Sequence, residues 1–336
     1  MSLNKEFFPK ISVLIAARNE EENILECLMS VRELDYPLEN IEVWIGNDQS
    51  ADKTGEIVQA FCRENNNFHL VEISENLKHL KGKPNVLAQL IKKAQGEYLF
   101  VTDADAKVSK SWVKGLLENF HADISMVSGV TVVEGNSLFS QLQNAECIFF
   151  MANGHINSNR GQPVSAIGSN MAFTRSSYLS VGGYENIPFS VTEDYELFKN
   201  IIKAGGKFKT AFGPEVLVYT KPVHNFRTFL HQRRRWLTGA FRLPKKFAVG
   251  LFILWTLLPI LLLLGFFIGW KWALALFALK WTIDLFFMKI FYNKLNQKLN
   301  WGYWLYTPYS LIFNTIILLF YLVPAPVVWK GREYSN

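Results

Sequence analysis

Two pairs of carboxylates are the side chains in this sequence best suited to chemistry. Asp103 and Asp105 lie two residues apart directly after an apolar run, a spacing that suits a hard divalent cation bridging phosphate oxygens. Glu193 and Asp194 lie where a helix is expected to start, and the helix dipole there favours the ionised carboxylate that a general base requires. A solvated loop and helix capping are the respective alternatives for the two pairs.

Basic side chains could supply the complementary binding of anions. Lys83 stands between Gly82 and Pro84, near the start of a predicted helix, where a lysine and backbone N–H groups can hold a phosphate or a nucleotide. Lys78 and Lys81 nearby are equally consistent with ordinary surface charges.

The stretch QRRRW at residues 232–236 concentrates arginine side chains. Their guanidinium groups offer fork-like donors to diphosphate oxygens. The alternative is attachment to a membrane surface, which is the role expected of Arg233, Arg234 and Arg242.

The elements that must position these residues alternate between strands and helices. Apolar runs predict strands at 11–16, 41–45, 69–73 and 98–102, and amphipathic stretches predict helices at 20–32, 54–62 and 84–94. Further along, a strand is predicted at 164–173 and a helix at 192–204, with Thr192 as its N-cap. This alternation predicts an α/β fold with a Rossmann-like, mostly parallel, doubly wound sheet.

Polar residues follow three of the predicted strands. Residues 17–20 follow the first strand, Asp48 the second, and Asp103 and Asp105 the fourth. Because ligands gather outside the carboxyl ends of parallel strands, we expect these side chains to line one edge. Asp48 taken alone is equally consistent with a turn former and with a ligand contact.

The composition changes along the chain and predicts two regions. The 336 residues exceed the usual single domain, and 49% of them are hydrophobic, which is high for a wholly soluble protein. The predicted regions are a domain at 1–244, including a basic interfacial segment at 221–246, and a membrane region at 247–336.

About three membrane spans are predicted, at 247–269, 272–291 and 304–323, since about 20 apolar residues cross a bilayer. The middle span is weaker because it carries Lys280, Asp284 and Lys289, although the first two can neutralise each other four residues apart. The alternative is an amphipathic helix lying in the membrane interface. Lys294 and Lys298 favour a return to the cytoplasmic side before the last crossing.

The basic segment and the cysteines bear on location. Residues 221–246 contain eight Lys or Arg and no acidic residue, beside the first span, which is typical of the cytoplasmic side of a membrane. Nucleic acid would also attract such a cluster, but its position favours membrane lipids, so no nucleic-acid partner is expected. Cys27, Cys62 and Cys147 lack metal-ligand spacing and indicate thiols in a reducing compartment. We therefore predict an integral membrane protein of a bacterial inner membrane with a cytoplasmic catalytic domain.

Together these segments resemble the inverting nucleotide-sugar glycosyltransferases of family 2, in the cellulose-synthase-like and ceramide-glucosyltransferase-like branch. The matching stretches, in order, are ISVLIAARNEEENI, IGNDQSADKT, GKPNVLAQ, FVTDADAKVS, AIGSNMAFTR, VTEDYEL and QRRRW. The resemblance implies a GT-A fold, a Mg²⁺ or Mn²⁺ ion and inversion at the anomeric carbon.

The resemblance also implies roles for individual residues. Asp48 resembles the nucleobase contact, Lys83 the basic residue near the uridine of a UDP-sugar, and Asp194 the catalytic base of the TED motif. Asp103 and Asp105 match the DxD positions, with Asp105 as the expected direct metal ligand. The residues expected on the nucleotide-sugar are Ala17, Arg18, Glu20, Asp48, Lys83, Asp103, Gln232, Arg235 and Trp236.

The acceptor is predicted from the size of the membrane region. Three spans do not readily enclose a pore for a growing polymer, so we expect a lipid or lipid-linked acceptor at the cytoplasmic leaflet, as in glycolipid synthesis for a cell envelope. A processive polysaccharide synthase and a catalytically silent membrane scaffold with the same fold are the alternatives. A dinucleotide-dependent oxidoreductase is disfavoured because the first strand is followed by AARNEE and no glycine-rich turn.

Overall fold

The computed structural model describes residues 8–121, 123–240, 243, 245–323, 327–329 and 332–334. It divides into two compact units. The first comprises the described residues of Met1–Thr131 and His155–Thr220, and the second those of Val132–Gly154 and Lys221–Asn336. The domain boundary expected near residue 244 stays a prediction.

The first unit alternates strands and helices. Its elements in chain order, with the two that contain a unit boundary (β7 and α5), are β1 (Ile11–Ala17), α1 (Ile24–Arg32), β2 (Ile41–Asn47), α2 (Thr54–Glu64), β3 (Phe68–Glu72), α3 (Lys83–Lys93), β4 (Tyr98–Asp103), β5 (Ala106–Val108), α4 (Trp112–Leu117), β6 (Ile124–Ser128), β7 (Val130–Val133), α5 (Leu138–Asn159), β8 (Asn170–Thr174), α6 (Arg175–Ser180), α7 (Glu193–Lys203), β9 (Lys207–Thr210) and β10 (Leu217–Thr220).

A seven-stranded sheet in the order β3-β2-β1-β4-β8-β6-β9 forms the centre of this unit. Its pairs are parallel except that β8 runs antiparallel to both β4 and β6. Side chains of β1 are buried on both faces because helices cover the sheet, which explains why this strand is a continuous apolar run. The register sets Ala17 beside Asn47 and Ala16 beside Asp103, so three carboxyl ends meet at one edge. The predicted α/β fold with a mostly parallel sheet is confirmed.

Two predicted elements begin later than expected. The strand predicted at 164–173 starts at Asn170, because Gly168 and Ser169 form a turn before it. The helix predicted from residue 20 starts at Ile24, because the N–H of Glu20 donates to the Thr54 hydroxyl at 2.7 Å and residues 21–23 turn before the helix. The turn at 21–23 follows the carboxyl end of β1, and the turn at 168–169 precedes β8, whose first residue lies beside the carboxyl end of β4.

The second unit is largely helical. It contains α8 (Phe226–Ala240), α9 (Lys245–Phe267), α10 (Trp270–Lys294) and α11 (Trp301–Leu322), followed by the antiparallel pair β11 (Val327–Trp329) and β12 (Arg332–Tyr334). Its apolar cluster joins side chains of α8, α9 and α11, namely Phe229, Leu237, Trp255, Phe313 and Ile317.

Within the described residues, two helices, α9 and α11, are long and apolar enough to cross a membrane. Only 6% of the apolar stretch of α9 and 33% of that of α11 is buried in the protein, so large apolar side chains face outward as expected for a lipid environment. The predicted pairing in α10 is confirmed, because Lys280 Nζ donates to Asp284 Oδ2 at 2.6 Å and the Thr307 hydroxyl donates to the same oxygen at 2.7 Å. That α10 also crosses stays a prediction.

Candidate active site

The end of β1 and the loops that follow β1 and β2 hold four of the residues predicted to contact the nucleoside. The Asp48 N–H donates to the carbonyl of Ala17 at 2.8 Å, and Arg18 Nη1 donates to the carbonyl of Asp48 at 2.5 Å. Glu20 and Asp48 are buried, and Asn23 donates to Glu20 Oε2 at 2.7 Å. The structure therefore brings Ala17, Arg18, Glu20 and Asp48 together at the carboxyl edge, and their roles stay predictions.

Lys83 lies at the centre of a second group of residues on this unit. Its ammonium group donates to Asp103 Oδ1 at 2.5 Å, to the carbonyl of Gly168 at 3.1 Å, and forms an ion pair with Glu193 at 3.1 Å. Gly82, in a left-handed conformation with φ +61°, precedes α3 and turns the chain so that Lys83 begins the helix. We call Lys83, Asp103, Glu193 and Asp194 the carboxylate cluster.

Asp194 is tied to the same turn. The N–H of Gly168 donates to Asp194 Oδ2 and the N–H of Tyr195 donates to Asp194 Oδ1, both at 2.7 Å. Burial and the charge of Glu193 raise the pKa of Asp194 to about 6, against the opposing effects of Lys83 and of the two N–H donors. A carboxylate with this pKa is mostly ionised at pH 7 and is a stronger base than an ordinary aspartate.

The charges in the carboxylate cluster are unequal, with one ammonium group facing three carboxylates. Burial disfavours the charged form of Lys83, but Asp103 and Glu193 outweigh it and raise the pKa of Lys83 above its ordinary value. Lys83 is therefore a fixed cation within this group, and its predicted contact with the uridine stays a prediction. The unbalanced negative charge suits a site that receives a cation and a proton.

Asp103 and Asp105 offer a donor set that fits Mg²⁺ or Mn²⁺. Both side chains are partly exposed, and they stand at the turn between β4 and β5. Among the described residues no group of three or more His, Cys, Asp or Glu forms a ready metal site. A cation here would take the remaining ligands from phosphates and water, as Mg²⁺ bound through one or two carboxylates ordinarily does.

Thr192 is the N-cap residue of α7, as predicted, but it does not cap the helix through its side chain. Its hydroxyl pairs with the Ser190 hydroxyl at 3.0 Å and makes no side-chain hydrogen bond to the helix. The acidic pair instead occupies the first two helical positions, as predicted, where the dipole favours negative charge.

Two residues near the cluster, Gly168 and Cys27, were not predicted as site residues, and Glu193 was predicted only as the acidic neighbour of Asp194. Gly168 links Lys83 to Asp194, and a Cβ at this position would lie 3.1 Å from both Lys83 Nζ and Asp194 Oδ2, so a larger residue would crowd the cluster. Glu193 is buried against Lys83. The Cys27 thiol contacts the carbonyl of Asp103 at 3.4 Å, and burial, with the charges of Asp105 and Asp103, raises its pKa. The GSN turn before β8 is the one sequence signal that could have indicated Gly168.

The second unit carries the QRRRW stretch on α8. Gln232 and Arg235 are half-buried and Trp236 is 41% exposed. Arg233 and Arg234 are buried, so the expectation that they attach to a membrane surface is wrong. Arg242 lies outside the described residues. That Gln232, Arg235 and Trp236 close over the diphosphate stays a prediction.

Buried partners inside the second unit explain why these two arginines are not at the surface. Arg233 forms a two-pronged ion pair with Glu146 of α5 at 2.8 and 3.0 Å. Arg234 Nη2 donates to the carbonyl of Val323, after α11, at 2.6 Å. A buried guanidinium is stable only when its charge and donors are satisfied in this way.

Comparisons with known proteins give relatives that are named as a glycosyltransferase, a polysaccharide synthase and a glycolipid synthase. The chain is 28% identical over 86% of its length to a probable glycosyltransferase, YdaM, of Bacillus subtilis, and covers 69% of that protein. It is 28% identical over 70% of its length to poly-beta-1,6-N-acetyl-D-glucosamine synthase of Staphylococcus aureus. It is 29% identical, again over 70%, to beta-monoglucosyldiacylglycerol synthase of Trichormus variabilis. The chain spans 56% and 49% of the length of the last two relatives.

A solved structure supports the fold. The chain is similar to the mannosyltransferase PcManGT of Pyrobaculum calidifontis in complex with GDP-Man and Mn²⁺, with a TM-score of 0.60 and 19% identity. The match covers 92% of this chain and 89% of that one. The fold is thus that of the GT-A glycosyltransferases, as the sequence resemblance implied.

The resemblance to glycosyltransferases is confirmed by a match over nearly the whole sequence. Residues 2–335 match the sequence model of glycosyl transferase family 21. With the α/β fold and the acidic sheet edge already described, this match gives the identity of the chain: it is a glycosyltransferase and belongs to glycosyl transferase family 21.

Proposed function

We propose that this glycosyltransferase is a membrane-bound, inverting enzyme that moves a sugar from a nucleotide-sugar to a lipid or lipid-linked acceptor at the cytoplasmic leaflet. The observation that carries the proposal is the carboxylate cluster. Lys83 contacts Asp103 and Gly168, and Gly168 holds Asp194, so a carboxylate with a pKa of about 6 is linked through Lys83 to the first aspartate of the DxD pair.

The proposed reaction is a single displacement. Asp194 accepts the proton of an acceptor hydroxyl, whose oxygen attacks the anomeric carbon from the face opposite the diphosphate. The bond from that carbon to the diphosphate oxygen breaks, and its electron pair leaves with the nucleoside diphosphate. The two N–H groups on Asp194 fix the carboxylate in one orientation, and such positioning is a major source of rate acceleration.

The chain's own charges prepare the site for the diphosphate. Asp103 and Asp105 would hold Mg²⁺ or Mn²⁺, which when bound neutralises charge on the leaving diphosphate. Lys83 keeps Asp103 in place through a short charge-assisted hydrogen bond. Arg235, with Gln232 and Trp236, is the proposed diphosphate contact, since a guanidinium fork matches phosphate geometry.

The donor is proposed to be a UDP-sugar, bound through Asp48 and the neighbouring residues 17–20. The solved structure of similar fold contains GDP-Man and Mn²⁺, so a GDP-sugar is the natural comparison. Thermal stabilisation by a panel of UDP- and GDP-sugars, with and without Mn²⁺, would identify the nucleotide. Stabilisation by GDP-sugars alone would contradict the proposed uridine contact.

The acceptor is proposed to be a lipid hydroxyl. Outward-facing apolar side chains on α9 and α11 support attachment of the chain to a bilayer, and one relative is named as a synthase of monoglucosyldiacylglycerol. Another relative is named as a polysaccharide synthase, which favours polymer extension as the second candidate. Product length decides between them, because one added sugar indicates a lipid acceptor and a ladder indicates polymer synthesis.

The proposed orientation can be tested by labelling from one side of the membrane. In a background without native cysteines, Lys298→Cys should be labelled from the cytoplasmic side and Lys271→Cys from the opposite side, because α10 then crosses between them. Labelling of both positions from the same side would mean that α10 lies in the interface and that the proposed hairpin is absent.

Replacement of the proposed base tests the mechanism. Asp194→Asn should lower transfer from a UDP-sugar to diacylglycerol in mixed micelles by about 10²- to 10⁴-fold, because it removes the proton acceptor. Donor binding should stay near normal, and the product of the wild type should have the inverted anomeric configuration. Substantial turnover by Asp194→Asn would show that another group is the base. A wild-type chain that neither transfers sugar nor releases nucleotide from any donor would indicate a silent scaffold.

A further inference from the structure

Arg233 is the second residue of the QRRRW stretch and has no role in the proposed function so far. It is adjacent to Gln232 and three residues before Trp236 on α8, and residues three apart on a helix are neighbours on one face. Its side chain is 3% exposed. An ionised group buried this deeply must be fixed by partners of opposite charge, which makes its orientation specific.

Glu146 holds one side of the Arg233 guanidinium, and Tyr309 in turn holds Glu146. Nε donates to Glu146 Oε1 at 3.0 Å and Nη2 donates to Glu146 Oε2 at 2.8 Å, a bidentate arrangement that allows one orientation of the guanidinium plane. The Tyr309 hydroxyl donates to Glu146 Oε2 at 3.2 Å. α5 and α11 thus both contribute to the clamp.

The other side of the guanidinium contacts the motif. Its central carbon lies 4.0 Å from the ring centre of Trp236 and 4.1 Å from that of Phe229, distances at which a cation is attracted to an aromatic face. Nη1 donates to Gln232 Oε1 in a short hydrogen bond. Phe229 is fully buried and packs on Phe313 at 4.8 Å, so the stack rests on the core of the unit.

We propose that Arg233, clamped by Glu146 and Tyr309, is a positioning residue that fixes the Gln232 amide and the Trp236 indole. Trp236 is 41% exposed and gains a defined orientation by stacking on an immobile cation. Because Gln232 Oε1 accepts from Arg233, the amide offers its NH₂ donors to an anion such as a diphosphate oxygen. The role in the reaction rests on the proposed function, whereas the positioning of the two side chains does not.

Arg234 is a matched control on the same helix. It is buried and donates to a backbone carbonyl, but its ring neighbours are Phe320 and Tyr321 of α11, at 5.5 and 6.0 Å. Arg234→Lys therefore perturbs a buried arginine of α8 through a different set of partners from those of Arg233→Lys.

The first experiment needs no enzymatic activity. The full chain in detergent micelles is labelled with 5-fluorotryptophan, and the Trp236 signal is assigned by its loss in Trp236→Leu. Arg233→Lys and Glu146→Gln should each shift this ¹⁹F resonance, and Arg234→Lys should leave it in place. An unmoved Trp236 signal in the first two variants would overturn the proposal.

The second experiment asks whether the positioning matters for transfer. Arg233→Lys should lower kcat/KM by about tenfold, and the loss should shrink clearly when it is made in Trp236→Leu, because one of the two groups through which Arg233 acts is already absent. Arg234→Lys should combine with Trp236→Leu additively. Equal losses from Arg233→Lys in both backgrounds would mean a merely structural role and would overturn the proposal.

A charge-free pair covers the case in which single variants fail to fold. Glu146→Leu with Arg233→Met removes both charges together, which buried ion pairs often tolerate, and should fold while the Trp236 resonance shifts and broadens. An unchanged resonance in this variant would overturn the proposal. If the resonance shifts but the wild type transfers no sugar from any donor, the proposed function fails and the positioning of Trp236 by Arg233 stands.

Discussion

The two units use buried charge in opposite ways. At the sheet edge of the first unit, one ammonium group of Lys83 is shared among three carboxylates, two of them partly exposed. In the second unit, Arg233 meets Glu146 in a closed pair of equal and opposite charges, with Tyr309 as a further donor. Unbalanced charge shifts pKa values and attracts ions, whereas a balanced pair fixes geometry. The first arrangement is suited to chemistry and the second to orientation.

Among the tests of this comparison, the largest effect is expected at Asp103, one of the unbalanced carboxylates. Asp103→Asn should lower the rate of sugar transfer by about 10²- to 10³-fold at a fixed low concentration of Mn²⁺. The substitution removes one charged ligand of the proposed metal ion, which offsets the negative charge that develops on the leaving diphosphate. Initial rates across a titration of Mn²⁺ measure the effect. Asp52→Asn, a surface carboxylate that caps the Thr54 N–H, is the matched control and should retain the wild-type dependence on Mn²⁺. Identical titration curves for Asp103→Asn and the wild type would contradict the metal assignment.

The balanced pair makes a prediction about stability. Glu146→Gln should lower the free energy of unfolding by about 3–5 kcal/mol, because it leaves the Arg233 charge buried without its counter-ion, and Glu146→Leu with Arg233→Met should recover most of the loss. Thermal unfolding in detergent measures both. If the double variant were less stable than Glu146→Gln, the ion pair would stabilise the fold by more than cancelling the two buried charges.

The pH dependence of sugar transfer should show how the unbalanced charges at the sheet edge set the pKa of Asp194. The base must be deprotonated, so kcat/KM should fall as the pH drops through the pKa of Asp194, about 6. Glu193→Gln removes a charge that raises this pKa, so the acid limb should move to lower pH. Lys83→Met removes a charge that lowers it, so the limb should move to higher pH. Shifts in the same direction would show that the limb belongs to another group.

The smallest expected effect is the cost of ionised Asp194 to the folded state. Its folded pKa of about 6 exceeds the ordinary value of 3.8, so the neutral form is favoured on folding and the ionised form costs stability. The cost is absent below about pH 4 and complete above about pH 6. The wild type should therefore lose about 2 kcal/mol relative to Asp194→Asn between pH 4 and 7. A pH-independent difference between the two unfolding curves would show that the pKa is not raised.

Local pattern accounts for much of the fold. The apolar runs at β1, β2 and β4 identified these strands, and the residues at their carboxyl ends identified the edge where Asp48 and Asp103 lie. The antiparallel insertion of β8 between β4 and β6 was not predicted, because a strand's direction within a sheet depends on how the intervening chain returns rather than on its own sequence.

The site was less accessible to sequence reasoning. Spacing gave the acidic pairs and the QRRRW stretch, and the place of Lys83 at a predicted helix start favoured it over Lys78 and Lys81, but the partners of Lys83 could not be predicted. The fold supplies Asp103 and Gly168, which are 20 and 85 residues away along the chain. Contacts at such separations leave no periodic signal in a single sequence.

By itself, the sequence determined the α/β class of the first unit, the order of its acidic and basic motifs and the apolar helices near the C-terminus, because periodicity, turn residues and hydrophobic length are local properties. The tertiary structure alone decided that Gly168 joins Lys83 to Asp194 and that Arg233 turns inward to Glu146. The physical reason is that a buried charge is defined by the partners that folding brings to it from distant parts of the chain.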